Sequence, residues 1–135
     1  MLIRRITIIR RNFGPERDVN KSLQDISRSL GLFGSRDKEK SCFRIFIVLL
    51  KASKKGVALS SDEIAYLSNL SRGTVVHHLN KLLDAGIVVS YKNKYKLIED
   101  NIHMIIKNIK RDVDDYLDDL MILAREIDNL MKEGY

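Results

Sequence analysis

Few side chains in this 135-residue chain are suited to chemistry, and their spacing limits what they can do. His77 and His78 are adjacent, and His103 lies far along the chain. Neighbours on a helix point about 100° apart, so His77 and His78 cannot jointly chelate one metal ion. Zinc pairs on a helix use a spacing of four. No acidic residue follows His103 at the third or fourth position. The single cysteine, Cys42, can form no internal disulfide, and its place on an apolar stripe suggests a buried, inert thiol. It suits a reducing compartment. There is no glycine-rich phosphate loop, no carboxylate pair in a plausible cleft and no nucleophile motif. The expectation is therefore no metal, no cofactor and no enzymatic activity.

Composition points elsewhere. At 44% apolar residues the chain can bury a core, and at 31% charged it is expected to be water-soluble. Its longest apolar run, Ile45 to Leu50, is far short of the roughly 20 residues that span a bilayer. The start, MLIRRITIIRR, has arginines on both sides of a short apolar segment and no small-residue cleavage site, so no signal peptide and a cytoplasmic location are expected. Charge is divided. Residues 1–97 hold 19 Lys/Arg against 8 Asp/Glu, a net of +11, and residues 98–135 hold 5 against 10, a net of −5. A basic body suggests a polyanionic partner, and the acidic tail a different task.

The elements that position these residues follow from periodicity. Ile3 to Ile9 is rich in β-branched residues and reads as a short strand, closed by Asn12-Phe13-Gly14-Pro15. Val19, Leu23, Ile26 and Leu30 sit at helical spacing ahead of Gly31 and Gly34. Ser35 or Asp37 can cap the next helix, which runs to about Ser53 on a stripe of Cys42, Ile45, Phe46 and Leu49, widened by Phe43, Ile47 and Leu50. Val57-Ala58-Leu59 is short but can supply one edge strand. Ser60 or Ser61 caps a short helix over Asp62 to Leu67, and a capping box is available if Ser60 is the cap.

Ser71 caps the following helix, which stops at Gly86. On a helical wheel Val75, Leu79 and Leu82 share one face, with His78 beside them as a partly buried packing residue. Gly73, His77, Asn80, Lys81 and Asp84 fall opposite, and Val76 lies at the flank. Ile87 to Tyr91 and Tyr95 to Ile98 read as two strands, with Lys92-Asn93-Lys94 at the bend. A short helix, a tight turn and a second helix that offers a polar strip make a helix-turn-helix. Such a helix fits the DNA major groove, about 12 Å wide. A hairpin carrying Lys92, Lys94 and Lys96 can rest on neighbouring phosphates or in the minor groove.

Leu70-Ser71-x-x-Thr74-Val75-x-x-His78-Leu79-x-x-Leu82-x-x-Ala85-Gly86-Ile87-Val88 resembles the recognition helix and first wing strand of winged helix-turn-helix repressors of the ArsR-like group. Ser60-Ser61-Asp62-Glu63-Ile64-Ala65 resembles the helix before it. The resemblance covers about residues 40–98. It implies that Ser71, Arg72, Thr74, Val76, His77 and Lys81 face DNA, with Lys92 and Lys94 on the wing. Two positions depart from the group. Gly73 weakens the first helical turn, and Val76 stands where a small polar residue is common, so contact there would be apolar, for instance to a thymine methyl. The cysteine pairs of metal-sensing ArsR proteins are absent. No effector is specified.

Ile102, Ile106, Ile109, Val113, Tyr116, Leu120, Leu123, Ile127 and Leu130 are spaced four, three, four, three without a break, a heptad sustained over four repeats. Ile105, Leu117, Met121, Ala124 and Met131 broaden the stripe. Asp112, Asp114, Asp115, Asp118 and Asp119 keep the outer face in water and away from phosphates. The pattern predicts a rod roughly 50 Å long that pairs two copies, parallel or antiparallel.

The expected architecture is mainly α with a small β-hairpin wing. Residues 1–35 form an N-terminal strand and helix extension, 36–98 a winged helix-turn-helix, and 99–135 a coiled-coil-like dimerisation helix. Arg4, Arg5, Arg10 and Arg11 either lie along the DNA backbone or flank a strand that pairs with a partner subunit through Ile6 and Ile8. The function expected is a homodimeric, sequence-specific regulator of transcription that binds double-stranded DNA. The alternatives are a winged-helix module that binds protein in a transcription or scaffold assembly, and nonspecific DNA architecture.

Overall fold

The computed structural model describes residues 4–15, 18–32 and 40–134. They form helices α1 (Val19–Ser29), α2 (Ser41–Lys54), α3 (Ser61–Ser68), α4 (Arg72–Asp84) and α5 (Ile102–Lys132), and strands β1 (Leu59–Ser60), β2 (Val88–Tyr91) and β3 (Lys94–Leu97). The chain divides into two compact units, Met1–Asp100 and Asn101–Tyr135. Among the described residues, no helix is long and apolar enough to cross a membrane.

In the first unit α2, α3 and α4 pack on one another, and β3 also lies against α2. The apolar periodicity explains this. Ile45, Phe46 and Leu49 of α2 meet Ile64 of α3 and Val75, Leu79 and Leu82 of α4 in a core where each is 0–1% exposed. Cys42 is buried in the same helix. Truncating one of the central leucines to alanine would cost about 2–5 kcal/mol, because close packing leaves a cavity that the surroundings only partly fill.

The sheet order is β1-β3-β2, antiparallel throughout. Val88 pairs with Leu97 and Tyr91 with Lys94. The bend is a two-residue turn, Lys92 and Asn93, with φ of 51° and 62°. Positive φ at both central residues matches the right-handed twist of the flanking strands. The edge strand is Leu59–Ser60, later than the expected Val57–Leu59, because Leu59 pairs with Tyr95 and Ser60 with Lys94.

Two expectations at the amino-terminal side need correction. Residues 4–15 carry no strand. Among the described residues the β-branched run finds no neighbouring strand, and its backbone is held at separate points instead: Arg5 N–H donates to the Asp84 carbonyl at 2.7 Å and Ile9 N–H to the Ser29 carbonyl at 2.8 Å. Ile6 is half-buried and Ile8 exposed. The second correction concerns α2, which begins at Ser41. Its N-cap, Lys40, has φ 54° and makes no side-chain cap. Ser35 and Asp37, the expected caps, lie outside the described residues, as does Gly34. Helix α1 starts on Asp18, whose carboxylate accepts from Lys21 N–H at 2.7 Å. Of its predicted stripe only Leu30 is buried, and Val19 is exposed.

Candidate nucleic-acid interface

Helix α3, which leads into the turn before α4, is fixed at both ends. At its start, Ser60 and Glu63 form a reciprocal capping box. Glu63 N–H donates to Ser60 Oγ and Ser60 N–H to Glu63 Oε1, each at 3.1 Å. Those hydrogen bonds hold the Glu63 carboxyl below its ordinary value of 4.5, Ser60 being the main cause and Lys94 a lesser one. At its end, Asn69 adopts the left-handed conformation with φ 56°. Leu70 N–H reaches back to Ala65 and Asn69 N–H to Tyr66, which closes the last turn of α3. Arg44 of α2 covers the same end, its guanidinium donating to the carbonyls of Ser68 and, at 3.3 Å, Asn69. Nothing in the local pattern marked Arg44, because its partners are 24 and 25 residues away.

Helix α4 begins at Ser71, whose hydroxyl accepts from Thr74 N–H at 3.2 Å and donates to Thr74 Oγ1 at 2.8 Å. The two hydroxyls thus share one hydrogen bond at the start of α4. Arg72, Gly73, Val76, His77, Asn80 and Lys81 are exposed, and His78 is half-buried. Val76, at 38% exposure, forms an apolar spot on an otherwise polar strip. A Cβ added at Gly73 would meet nothing within 4 Å, so the first turn presents bare backbone to the outside. The rings of His77 and His78 meet edge to face with centroids 5.1 Å apart, closer than divergence of the two side chains suggested. Among the described residues no group of three or more His, Cys, Asp or Glu is placed to hold a metal ion.

Arg72 is the one member of the strip with an ionic partner on α3: its Nε lies 3.4 Å from Asp62 Oδ1. Lys81 stands at the far end. With Arg5, Ile6, Leu30 and Asp84 it lines a recess between α4 and the amino-terminal segment. At the wing Lys92, Lys94 and Lys96 are all exposed, and Lys92 Nζ sits 5.3 Å from the centre of the Tyr91 ring. That cation–π contact steadies the tip lysine without neutralising it.

Helix α4 ends in a Schellman turn. Gly86 has φ +71°, its N–H reaches Leu83, and Ile87 N–H reaches Leu82. Arg4 reinforces this end through a hydrogen bond from Nη1 to the Ala85 carbonyl at 2.8 Å.

The second unit is α5, 31 residues long and about 46 Å at 1.5 Å per residue. Asn101 caps it through Met104 N–H at 2.9 Å. Of the predicted stripe, Ile109 is buried, Ile102 and Val113 are half-buried, and Ile106 is partly exposed. From Tyr116 onward Leu120, Leu123, Ile127 and Leu130 are all exposed, with Leu117, Met121 and Met131 alongside. These side chains form an uncovered apolar band along the second half of α5.

A three-helix core whose third helix carries an exposed polar strip, followed by a lysine-tipped antiparallel hairpin, defines a winged helix-turn-helix. Residues 50–90, from the end of α2 through β2, match the family model described as bacterial regulatory protein, arsR family. The match is consistent with an ArsR-like winged helix-turn-helix regulator and supports a DNA-binding regulator of transcription. Comparison with curated proteins and with solved structures finds no match.

Proposed function

We propose that the protein is a sequence-specific, homodimeric regulator of transcription, with α4 lying in the major groove and the wing on the flanking backbone or in the minor groove. The observation that carries this reading is the exposed strip of α4, set between a cap that fixes its start and a hairpin whose three lysines are uncovered. In this reading Arg72, Thr74, Val76, His77 and Lys81 face base edges and the nearby backbone. Ser71 acts mainly through the cap it provides. Bare backbone at Gly73 allows the amides of the first turn to approach phosphate closely. Lys92 and Lys94 supply charge without sequence preference.

The exposed apolar band from Tyr116 to Leu130 supports pairing of two copies through α5. Two copies would present two recognition helices to a two-fold site with half-sites about one helical turn apart.

In-vitro selection from a random duplex library, followed by gel shift at several salt concentrations, tests the reading. One palindrome should emerge. Arg72→Ala or His77→Ala should flatten the preference at individual positions, whereas Lys92→Ala with Lys94→Ala should weaken all duplexes alike and lower the salt slope by about two. Equal affinity for every duplex would point instead to nonspecific DNA architecture. A stoichiometric protein partner with no DNA affinity at moderate salt would point to a protein-binding module.

A further inference from the structure

We infer that Asp62 is a positioning residue for base reading: it holds Arg72 by Nε and turns the Nη edge of the guanidinium toward a guanine. The inference rests on α4 being the DNA-facing helix. Asp62 lies in the first turn of α3 and Arg72 is the first residue of α4, so the ion pair at 3.4 Å spans the two helices of the motif. Both side chains are more than 70% exposed, so burial does not force them together.

The chemistry of the fork explains what such a pair does. A guanidinium carries five N–H donors in one plane. The Asp62 carboxylate, ion-paired 3.4 Å from Nε, sits beside the Nε edge of that fork and leaves the Nη1–Nη2 edge able to donate. Two parallel donors match O6 and N7 of guanine in the major groove, the commonest specific contact that arginine makes there. Held at one side, Arg72 has fewer orientations to lose when it docks. A carboxylate beside phosphates, taken alone, opposes binding, so Asp62 weakens affinity for any duplex while sharpening the choice of base. An acid in the first turn of α3 also favours that helix's dipole. The test must therefore separate a helix-stabilising role from a reading role.

The experiment is selection from a random duplex library with the full chain, comparing the wild type with Asp62→Asn, Arg72→Ala, Arg72→Lys and the double variant Asp62→Asn/Arg72→Ala. The wild type should prefer guanine at one position per half-site by about tenfold or more. Asp62→Asn should bind random duplex more tightly than the wild type and yet lose most of that preference. Arg72→Lys should lose it too, since lysine has no planar fork. Adding Asp62→Asn to Arg72→Ala should change the preference no further. A carboxylate that only repels phosphate, or only stabilises α3, would alter overall affinity or melting temperature and leave base preference untouched; that result overturns the assignment. If Arg72→Ala erases the guanine preference while Asp62→Asn keeps it, Asp62 is excluded and the DNA-reading role of α4 stands. If the wild type selects no sequence at all, that role falls and the assignment falls with it.

Discussion

The Arg4 guanidinium meets the Ala85 carbonyl at 2.8 Å, joining the amino-terminal segment to the end of the helix that begins at Arg72. A cation at a helix C-terminus complements the partial negative charge of the unpaired carbonyls. Arg4→Ala should therefore destabilise the first unit by about 1.5–3 kcal/mol, the range for a hydrogen bond from a charged group. Arg4→Lys should recover part of the loss. Urea unfolding at fixed ionic strength measures this, and an unchanged midpoint would show that the contact contributes nothing in solution.

Gly86 tests the same junction from the other side. Its φ of +71° costs an L-residue about 1–2 kcal/mol. A Cβ there would also lie 2.9 Å from Arg4 Cζ. Gly86→Ala should thus be destabilising in any background, but by less where Arg4 is already alanine, because the collision is then gone. A double-mutant cycle reads the difference. Strict additivity would mean that the guanidinium does not lie against Gly86 in solution.

The capping box predicts an acid-dependent stability. Folding lowers the Glu63 carboxyl below 4.5, so its contribution is complete above the unfolded value and is lost as pH falls through the folded one. The advantage of the wild type over Glu63→Gln should be full near neutrality and shrink below about pH 4.5. Ser60→Ala, which removes the hydroxyl acceptor, should cost about 0.5–2 kcal/mol at neutral pH. Thermal melts across that range check both, and a difference that grows in acid would contradict the sign.

The apolar band on α5 predicts a change of mass. Leu123 is 51% exposed, so Leu123→Asp removes no core. It should leave the helical content unchanged while sedimentation shifts from dimer to monomer. Affinity for a two-half-site duplex should then fall about tenfold or more, since the second recognition helix is no longer tethered. A dimer that survives the substitution would place the pairing surface elsewhere.

Helix α4 was the most legible part of the sequence. Val75, Leu79 and Leu82 sit at helical spacing between a serine and a glycine, and each signal is local. Which serine caps α3 was open, and the reach of the Glu63 side chain back to Ser60 N–H decides it. The helical wheel gave the outward strip, and the structure exposes His77, Asn80 and Lys81 on it; the expectation that the strip faces DNA came from the family resemblance. Local pattern failed where partners are distant. Ile6 to Ile9 has strand composition, yet the Ile9 N–H, like that of Arg5, goes singly to a helix end, and composition does not reveal that no strand lies alongside among the described residues. Lys40 begins α2 without a capping side chain, so no sequence signal marks the boundary. The Arg44 contacts and the Asp62–Arg72 pair depend on a crossing of helices that residue types do not encode locally. On α5 the heptad was visible, but not that its early positions would be covered and its later ones bare.

Ser60 belongs to two structures at once: it pairs with Lys94 across the sheet, and its hydroxyl starts α3. No compliant joint separates hairpin from helix pair there. If α4 and the wing both contact DNA as proposed, they would move as one stiff part there, and a duplex held by both would have to match their fixed separation. On that proposal any misfit would be taken up by bending or twisting of the DNA, and sequences that deform easily would gain an advantage at base pairs no side chain touches.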